Sequence, residues 1–416
     1  MTHKGLATVL GMLLSASFAL RSDEGEDTRK ELYEQGLKKY HLGQYDEASR
    51  DLEAFLAQNP SADEVLRRLN ESSTMSLVEM SQNDKLKGLA VRILRIPEGE
   101  RRSMRLDDAR TLELVRDVER RQYAKDGKTL HATWDAQQKL RLVGAPAVPF
   151  MIEDLGDKNE DLLRSVVFVT ICNMGQEAVL PLIKALKHPN PILKANCVAA
   201  LGQIKDARAL PAIKALHDST QENDVLVKES CRKAIMAITG QGPDAIPEAR
   251  LLYLKQAGDY LRKRGEVMRK IEDELYLVWS FDVSKNSLVR TEVPGYIWNL
   301  EMAEDACYSA LQCPGELPDE EILPVLTLAY FSQLEKIDNL IRTAKAQNAD
   351  AAPFEAHRKE LRKADMFGRI FGEETLHDAL KIALKDNDAS LAKRINLALV
   401  EVSASLESTS AQGGRP

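Results

Sequence analysis

Ala147-Val148-Pro149-Phe150-Met151-Ile152-Glu153-Asp154-Leu155 is the most informative segment of the chain, because it returns twice in altered form. It recurs as AVLPLIKAL at residues 178–186 and as ALPAIKAL at residues 209–216, so that its prolines lie 32 and 30 residues apart. Each proline stands near the start of an apolar segment, where a helix tolerates a missing N–H group best. Self-similarity at this spacing predicts stacked helical hairpins.

A second apolar segment follows each copy, and the three together predict the second helix of each hairpin at residues 161–174, 192–204 and 226–238. Aligned by the repeat, Arg164, Lys194 and Lys228 form a basic column, and Val167, Cys197 and Cys231 form an apolar one. The basic column has two interpretations. It is a docking stripe for an acidic partner, or each base pairs inside the repeats with a loop acid or carbonyl, for example Asp161, Asn190 or Asp224. The internal pairing is the preferred interpretation.

Residues 137–240 resemble HEAT repeats, in particular the short bacterial type first associated with phycobilisome lyases. The resemblance implies an α-solenoid whose concave face is lined by the second helices. Such a face binds peptides or partner domains. The side chains expected to contact a partner are Arg164, Lys194, Lys228 and Arg232.

Residues 29–62 resemble one tetratricopeptide hairpin. The resemblance rests on residues at characteristic offsets, namely Leu32, Gly36, Tyr40, Gly43, Tyr45, Ala48 and Pro60. Small residues at two of these positions let two helices approach closely, a glycine makes the turn and a proline ends the second helix. A single hairpin of this kind must pack on its neighbours to bury its apolar face.

The remaining segments continue the helical pattern, so the predicted fold class is all-α, an α-solenoid of tetratricopeptide-like and then HEAT-type hairpins. Residues 74–130 predict a helical connector with a break around Pro97-Glu98-Gly99. Residues 246–364 predict a helical region that begins with one long helix over 246–273. Within it, short β-favouring runs predict a small β-hairpin near residues 275–293.

The C-terminal end of the chain contains one more predicted helix pair and a tail. Residues 373–404 look like a further HEAT unit that lacks the proline. Residues 405–416 are rich in Ser and Gly and predict a flexible tail.

The first residues have the features of an export signal. Lys4 gives a positive start, residues 6–14 are apolar, and Ser17 and Ala19 have the small-x-small spacing of a cleavage site. We therefore expect a signal peptide over residues 1–19 and a periplasmic or extracellular protein. A membrane anchor and a frayed cytosolic terminus are the alternatives. Beyond the signal peptide, no stretch is expected to span a membrane.

No residue pattern predicts catalysis, a cofactor or a metal site. Cys197 and Cys231 are expected to be small buried core residues. Cys307 and Cys313 are expected to remain unpaired, with a short-loop disulfide as the alternative. The net charge of −7 argues against general nucleic-acid binding, which needs basic patches.

The sequence thus predicts an exported, non-enzymatic scaffold that binds a protein or peptide. Two alternatives belong to other classes. A bilin lyase or isomerase follows only from the phycobilisome-lyase resemblance, and a self-assembling structural protein of the cell envelope follows from the repeat architecture.

Overall fold

A computed structural model describes residues 25–71, 74–81, 83–120, 127–265, 267–268, 275–361, 366 and 369–412. The expected signal peptide, residues 1–19, lies outside these residues. The described chain is all-α apart from one small β-hairpin, which confirms the predicted fold class. It divides into two compact units, residues 1–106 and 107–416.

The described residues of the first unit form helices joined by turns. The helices are α1 (25–41), α2 (Tyr45–Ala57), α3 (Ala62–Glu71), α4 (Thr74–Met80) and α5 (Lys87–Leu106). Gly43, with a φ of 75°, makes the turn between α1 and α2. A Cβ atom on Gly36 would stand 2.8 Å from the Leu52 side chain, so glycine permits the close approach of these two helices. The rings of Tyr33 and Phe55 lie 5.2 Å apart in the core between them.

The predicted break at residues 97–99 is wrong. Helix α5 continues through Pro97, which is buried inside it. A proline inside a helix removes one backbone hydrogen bond and favours a kink. Here burial of the apolar side chains Ile93 and Ala90 on the same helix keeps α5 attached to the core of the unit, so tertiary packing overrides the local signal.

The second unit begins with α6 (Asp108–Glu119) and α7 (Gly127–Val143) and continues into three hairpins. The first helices of the hairpins are α8 (Val148–Met151), α10 (Val179–Ala185) and α12 (Leu210–Asp218). The second helices are α9 (Asp161–Met174), α11 (Pro191–Ile204) and α13 (Val225–Thr239). The repeated prolines lie in the first turns of α8, α10 and α12, as the sequence predicts.

Side-chain amides join the hairpins to one another. Asn190 caps α11 by accepting from the Ile192 N–H at 3.0 Å, and its Nδ2 donates to the Gly156 carbonyl of the preceding hairpin at 3.1 Å. Asn196 Nδ2 donates to the Leu155 carbonyl at 2.7 Å. These bonds satisfy carbonyl groups just after the first helix of one hairpin with donors from the second helix of the next, which fixes the stacking register.

The predicted β-hairpin is confirmed. Strands β1 (Leu277–Asp282) and β2 (Ser287–Glu292) pair antiparallel, and Trp279 of β1 is buried. The long helix predicted before it is shorter than expected. Helix α14 spans Ala249–Leu261 and is followed by a turn in which Lys263 has a φ of 50°. A left-handed residue cannot continue a right-handed helix, so α14 ends there.

The described residues that follow include five further helices of the second unit, besides helical residues at 366 and 369–370. The five helices are α15 (Trp298–Gln312), α16 (Asp319–Ala346), α17 (Ala352–Glu360), α18 (Gly372–Lys385) and α19 (Ala389–Gln412). The flexible tail predicted from residue 405 is helical as far as Gln412. The chain between Val402 and Gln412 has no Gly or Pro, and its Ala, Leu and Glu residues favour a helix. Residues 413–416 lie outside the described part of the chain.

Asp161–Ala185 is the one stretch of the described chain that is long and apolar enough to cross a membrane, judged by length and composition. Its most apolar window has a mean hydropathy of 1.6, and the expectation that no stretch beyond the signal peptide spans a membrane stays a prediction. Core helices of folded proteins meet the same test. In the structure Gly175, with a φ of 61°, separates the stretch into α9 and α10, and 44% of the window is buried.

Candidate binding surface and cavity

The first and second helices of the hairpins differ in what covers them. Strands β1 and β2 contact α10, β2 also contacts α8, and α14 contacts α12. The outer side of the first helices is therefore covered by elements of the same unit. Among the described elements, α11 contacts α9, α10, α13 and the turn Glu153–Gly156. Its remaining side, together with the corresponding sides of α9 and α13, forms an open surface that we call the second-helix face.

Large apolar side chains are exposed on the second-helix face. They are Leu162 (65% exposed), Val169 (48%), Val225 (80%), Leu226 (52%) and Met236 (44%). Leu162 and Leu226 occupy equivalent repeat positions, with half-buried Ile192 between them. Exposed apolar residues at equivalent positions of successive repeats form a row, whereas single ones scattered over a surface need no explanation.

The basic column lies at the beginning of the second helices and is held by internal partners. Arg164 donates to the Asp157 carbonyl and to the Asp161 carboxylate. Lys194 pairs with Glu222, which belongs to the loop of the next hairpin. These contacts are of the kind that the internal-pairing interpretation predicts, although the partner of Lys194 is not Asn190.

Lys228 also bonds to its own hairpin. Its ammonium group donates to the carbonyls of His217 and Ser219, the latter at 2.8 Å, and not to Asp224. Asp224 instead caps α13 by accepting from the Leu226 N–H at 2.9 Å. Arg232 differs from the column, because its side chain is 50% exposed. It pairs with Glu229 on the same helix, and this contact holds the pKa of the Glu229 carboxyl at about 2.

Of the four predicted contact residues, the structure therefore leaves Arg232 the most accessible, while the Lys194 side chain is 15% exposed. The exposed apolar row was not identified from the sequence. Its signal was available, because Leu162, Ile192 and Leu226 are equivalent when the hairpins are aligned. Apolar residues at the start of a helix are, however, expected to be buried, and burial on one side of a solenoid depends on which face later elements cover.

A cavity of about 250 Å³ lies on the opposite side of the hairpins, between α10, α12, α14 and α15. Its apolar lining includes Leu180, Ile183, Leu186, Ala212, Ala215, Leu216, Trp279, Met302 and Ala306. Lys187 and Gln312 also line it and are exposed, so the cavity opens to solvent beside them. No sequence motif marks this cavity, since its walls come from segments more than a hundred residues apart.

Two ion pairs involve residues of the cavity wall. Lys184 Nζ lies 2.6 Å from both carboxylate oxygens of Asp305. Arg208 forms a buried pair with Asp206, with Nη2 at 2.7 Å from Oδ2. Tyr260 is 1% exposed; burial raises the pKa of its hydroxyl, and the nearby Arg208 guanidinium acts in the opposite direction.

The five cysteines lie on the second helices of the hairpins and on or just after α15. All five are free thiols, including Cys307 and Cys313, so the alternative of a disulfide between these two is wrong. Cys197 and Cys231 are fully buried, as predicted. Burial raises the pKa of the Cys231 thiol to about 12. Within the described residues, no three His, Cys, Asp or Glu side chains are grouped so that they could hold a metal ion.

The comparison with protein families agrees with the repeat geometry. The family model described as HEAT repeats matches residues 148–230, which cover the helices from α8 into α13. This match and the helical fold support the assignment of HEAT repeats to residues 148–230. The search of curated proteins finds no match.

Proposed function

We propose that this chain is an exported scaffold that binds a protein partner on its second-helix face. Stacked helical repeats form extended surfaces of this kind, and binding of peptides or domains is their common use. The partner contributes apolar side chains that cover the row formed by Leu162, Ile192 and Leu226, and an acidic group that reaches Arg232.

One observation carries the proposal. The β-hairpin and α14 cover the first helices of the repeats, while the second helices keep large apolar side chains exposed. A row of exposed apolar residues is unfavourable in water. Burying it against a partner gains about 25 cal/mol for each Å² of apolar surface removed from solvent. Interface cores are apolar and surrounded by charged residues, and arginine is enriched in them. The second-helix face has both features.

Quantitative affinity capture tests the proposal. The mature chain and its Leu162→Asp/Leu226→Asp variant are immobilised and exposed to cell-envelope extract, and bound proteins are compared by mass spectrometry. Leu384→Asp is the matched control, because Leu384 is 59% exposed and lies on α18, outside the second-helix face. The proposal expects a partner that is retained by the wild type and by the Leu384 variant and lost by the double variant. Equal retention by all three baits contradicts the proposed surface.

Export is tested separately by expressing the full chain in a bacterial host and measuring the intact mass of the protein in the periplasmic fraction. Removal of residues 1–19 is expected. A protein that keeps residues 1–19 and stays in the cytosolic fraction contradicts export and leaves the scaffold proposal standing.

A further inference from the structure

A gap between the elements that cover the first helices forms the cavity between α10, α12, α14 and α15. The β-hairpin contacts α10, α14 contacts α12, and α15 contacts both β1 and α14. The cavity lies where these covering elements meet, so its walls come from separate parts of the unit. Sites for small molecules are commonly found between packed elements in this way. The cavity is therefore a feature of the fold itself.

The inner wall of the cavity is mainly hydrocarbon. Aliphatic side chains from α10 and α12 line it together with Met302 of α15 and the buried Trp279 of β1. Alanines stand at further wall positions, Ala212, Ala215 and Ala306, where a larger side chain would fill part of the space. An apolar cavity of about 150 Å³ already binds a benzene-sized molecule. The volume of about 250 Å³ found here admits such a molecule with room for a short substituent.

The charged side chains of the wall already have partners within the protein. Lys184 Nζ lies 2.6 Å from both carboxylate oxygens of Asp305. The Arg208 guanidinium donates to both carboxylate oxygens of Asp206, at 2.9 and 2.7 Å. Gln256 Nε2 donates to the Arg208 carbonyl at 3.0 Å. A ligand that needs a counter-charge would have to compete with these contacts, whereas a hydrocarbon needs only the apolar wall.

We infer that this cavity binds a compact, uncharged, largely hydrocarbon molecule. Binding removes apolar surface of both the ligand and the wall from water, which is the main favourable contribution. A charged molecule of the same shape would lose its hydration, and the two ion pairs of the wall would offer it no free counter-charge. The site lies on the first-helix side, so the inference goes beyond the proposed protein binding and does not depend on it.

Toluene, benzoate and benzylammonium are suitable probes, because each carries one ring with one small substituent and they differ in charge. Calorimetric titration of the full chain with toluene is expected to give one site per molecule. Benzoate and benzylammonium are expected to bind at least about tenfold more weakly than toluene, since the cavity does not compensate the lost hydration of a charge.

Cys313 reports where toluene binds. Its thiol group belongs to a half-buried residue of the cavity wall. Cys172 on α9 is also half-buried and is not part of the wall, so it serves as the matched reporter. Saturating toluene is expected to slow the alkylation of Cys313 by iodoacetamide several-fold and to leave the rate at Cys172 unchanged. Peptide mass spectrometry of samples taken over time gives both rates in the unmodified protein.

A substitution that fills the cavity gives a second test. Ala215 is a half-buried wall residue of α12, and Ala215→Leu adds three carbon atoms to the space that toluene would occupy. This variant is expected to lower the affinity for toluene at least about tenfold. Ala346→Leu is the matched control, because Ala346 is exposed at the end of α16, outside the cavity, and its replacement should leave toluene binding unchanged. Circular dichroism establishes that both variants are folded.

Several results each overturn the inference. They are the absence of toluene binding to the wild-type protein, equal affinities for toluene and either charged probe, protection of Cys172 instead of Cys313, and unchanged toluene affinity in a folded Ala215→Leu variant. The wild-type measurements decide the question even if Ala215→Leu does not fold. The capture experiment replaces Leu162 and Leu226, which do not line the cavity, so either proposal can fail alone.

Discussion

Lys184 of α10 is joined to Asp305 of α15, 121 residues further along the chain, by hydrogen bonds of 2.6 Å to both carboxylate oxygens. The lysine side chain is 11% exposed and the aspartate 37%. Helix α10 belongs to the repeat block, and α15 belongs to the helices that follow the β-hairpin. This pair therefore helps to attach the first-helix side of the repeats to the C-terminal part of the unit.

A double-mutant cycle measures how much this attachment contributes. Lys184→Met and Asp305→Asn are each expected to lower the free energy of unfolding by about 1–2 kcal/mol, less than for a fully buried pair because Asp305 is partly solvated. The double variant should lose less free energy of unfolding than the sum of the two single losses, because the first substitution has already broken the ion pair. Urea unfolding followed by circular dichroism gives these values.

Arg232 and Glu229 provide the control for that cycle. Both are exposed neighbours on α13, at 2.7 Å. This solvated pair lies within one helix and does not join separate elements. Its coupling free energy in the cycle is therefore expected to be near zero within error. Equal coupling in the two cycles contradicts the role assigned to Lys184 and Asp305.

Glu301 on α15 gives the second unit a distinctive pH dependence. Burial and then the neighbouring Glu304 carboxylate raise the pKa of Glu301 to about 7, above its ordinary value of 4.5. The folded protein thus binds a proton that the unfolded chain has lost between these two pH values. The resulting stability is fully present below pH 4.5 and is lost as the pH rises through about 7.

Glu301→Gln removes this dependence. The variant is expected to melt at the same temperature as the wild type near pH 4 and at a higher temperature at pH 8, as measured by circular dichroism from pH 4 to 8. The raised pKa of Glu301 is contradicted if, at pH 8, the wild type has a melting temperature equal to or above that of the Glu301→Gln variant.

Thiol reactivity separates the cysteines by burial. Cys172 and Cys313 are half-buried, whereas Cys197, Cys231 and Cys307 are buried. Burial raises the pKa of the Cys172 thiol to about 11, so even this accessible group holds little thiolate at pH 8. We expect a chromogenic disulfide reagent to label at most two thiols slowly in the native protein and all five in denaturant. Rapid native labelling at Cys197, identified by peptide mass spectrometry, contradicts the packing of α11.

The repeat block and the β-hairpin could be predicted because their signals are local and periodic. The prolines of the first helices recur in the first turn, and the change from helical to alternating periodicity marks β1 and β2. The wrong predictions also came from local signals, which tertiary packing overrides. Pro97 suggests a helix end, yet α5 continues because its apolar side is buried.

The cavity and the open face could not be predicted, because both depend on which elements meet. Lys184 and Asp305 carry no motif that would associate them, and Tyr260 reads as one more apolar position on a helix. The partner of Lys194 also belongs to a loop of the next hairpin, Glu222, so sequence distance alone does not select it. Contacts of this kind follow from the curvature of the solenoid, which a single sequence does not specify.

Gly202 on α11 gives the sharpest test of the packing between hairpins. A Cβ atom at this position would lie 2.9 Å from the Cα and Cβ atoms of Ala234 on α13, and both are held in helices that cannot move apart cheaply. Gly202→Ala should therefore lower the free energy of unfolding by about 1–3 kcal/mol despite the better helix propensity of alanine. Gly88 is the matched control: it lies at the start of α5, is exposed, and has nothing within 4 Å of an added Cβ. Gly88→Ala should stabilise its helix by up to about 1 kcal/mol. Because only the first substitution presses two hairpins apart, a neutral Gly202→Ala variant in urea unfolding would mean that α11 and α13 do not pack this closely.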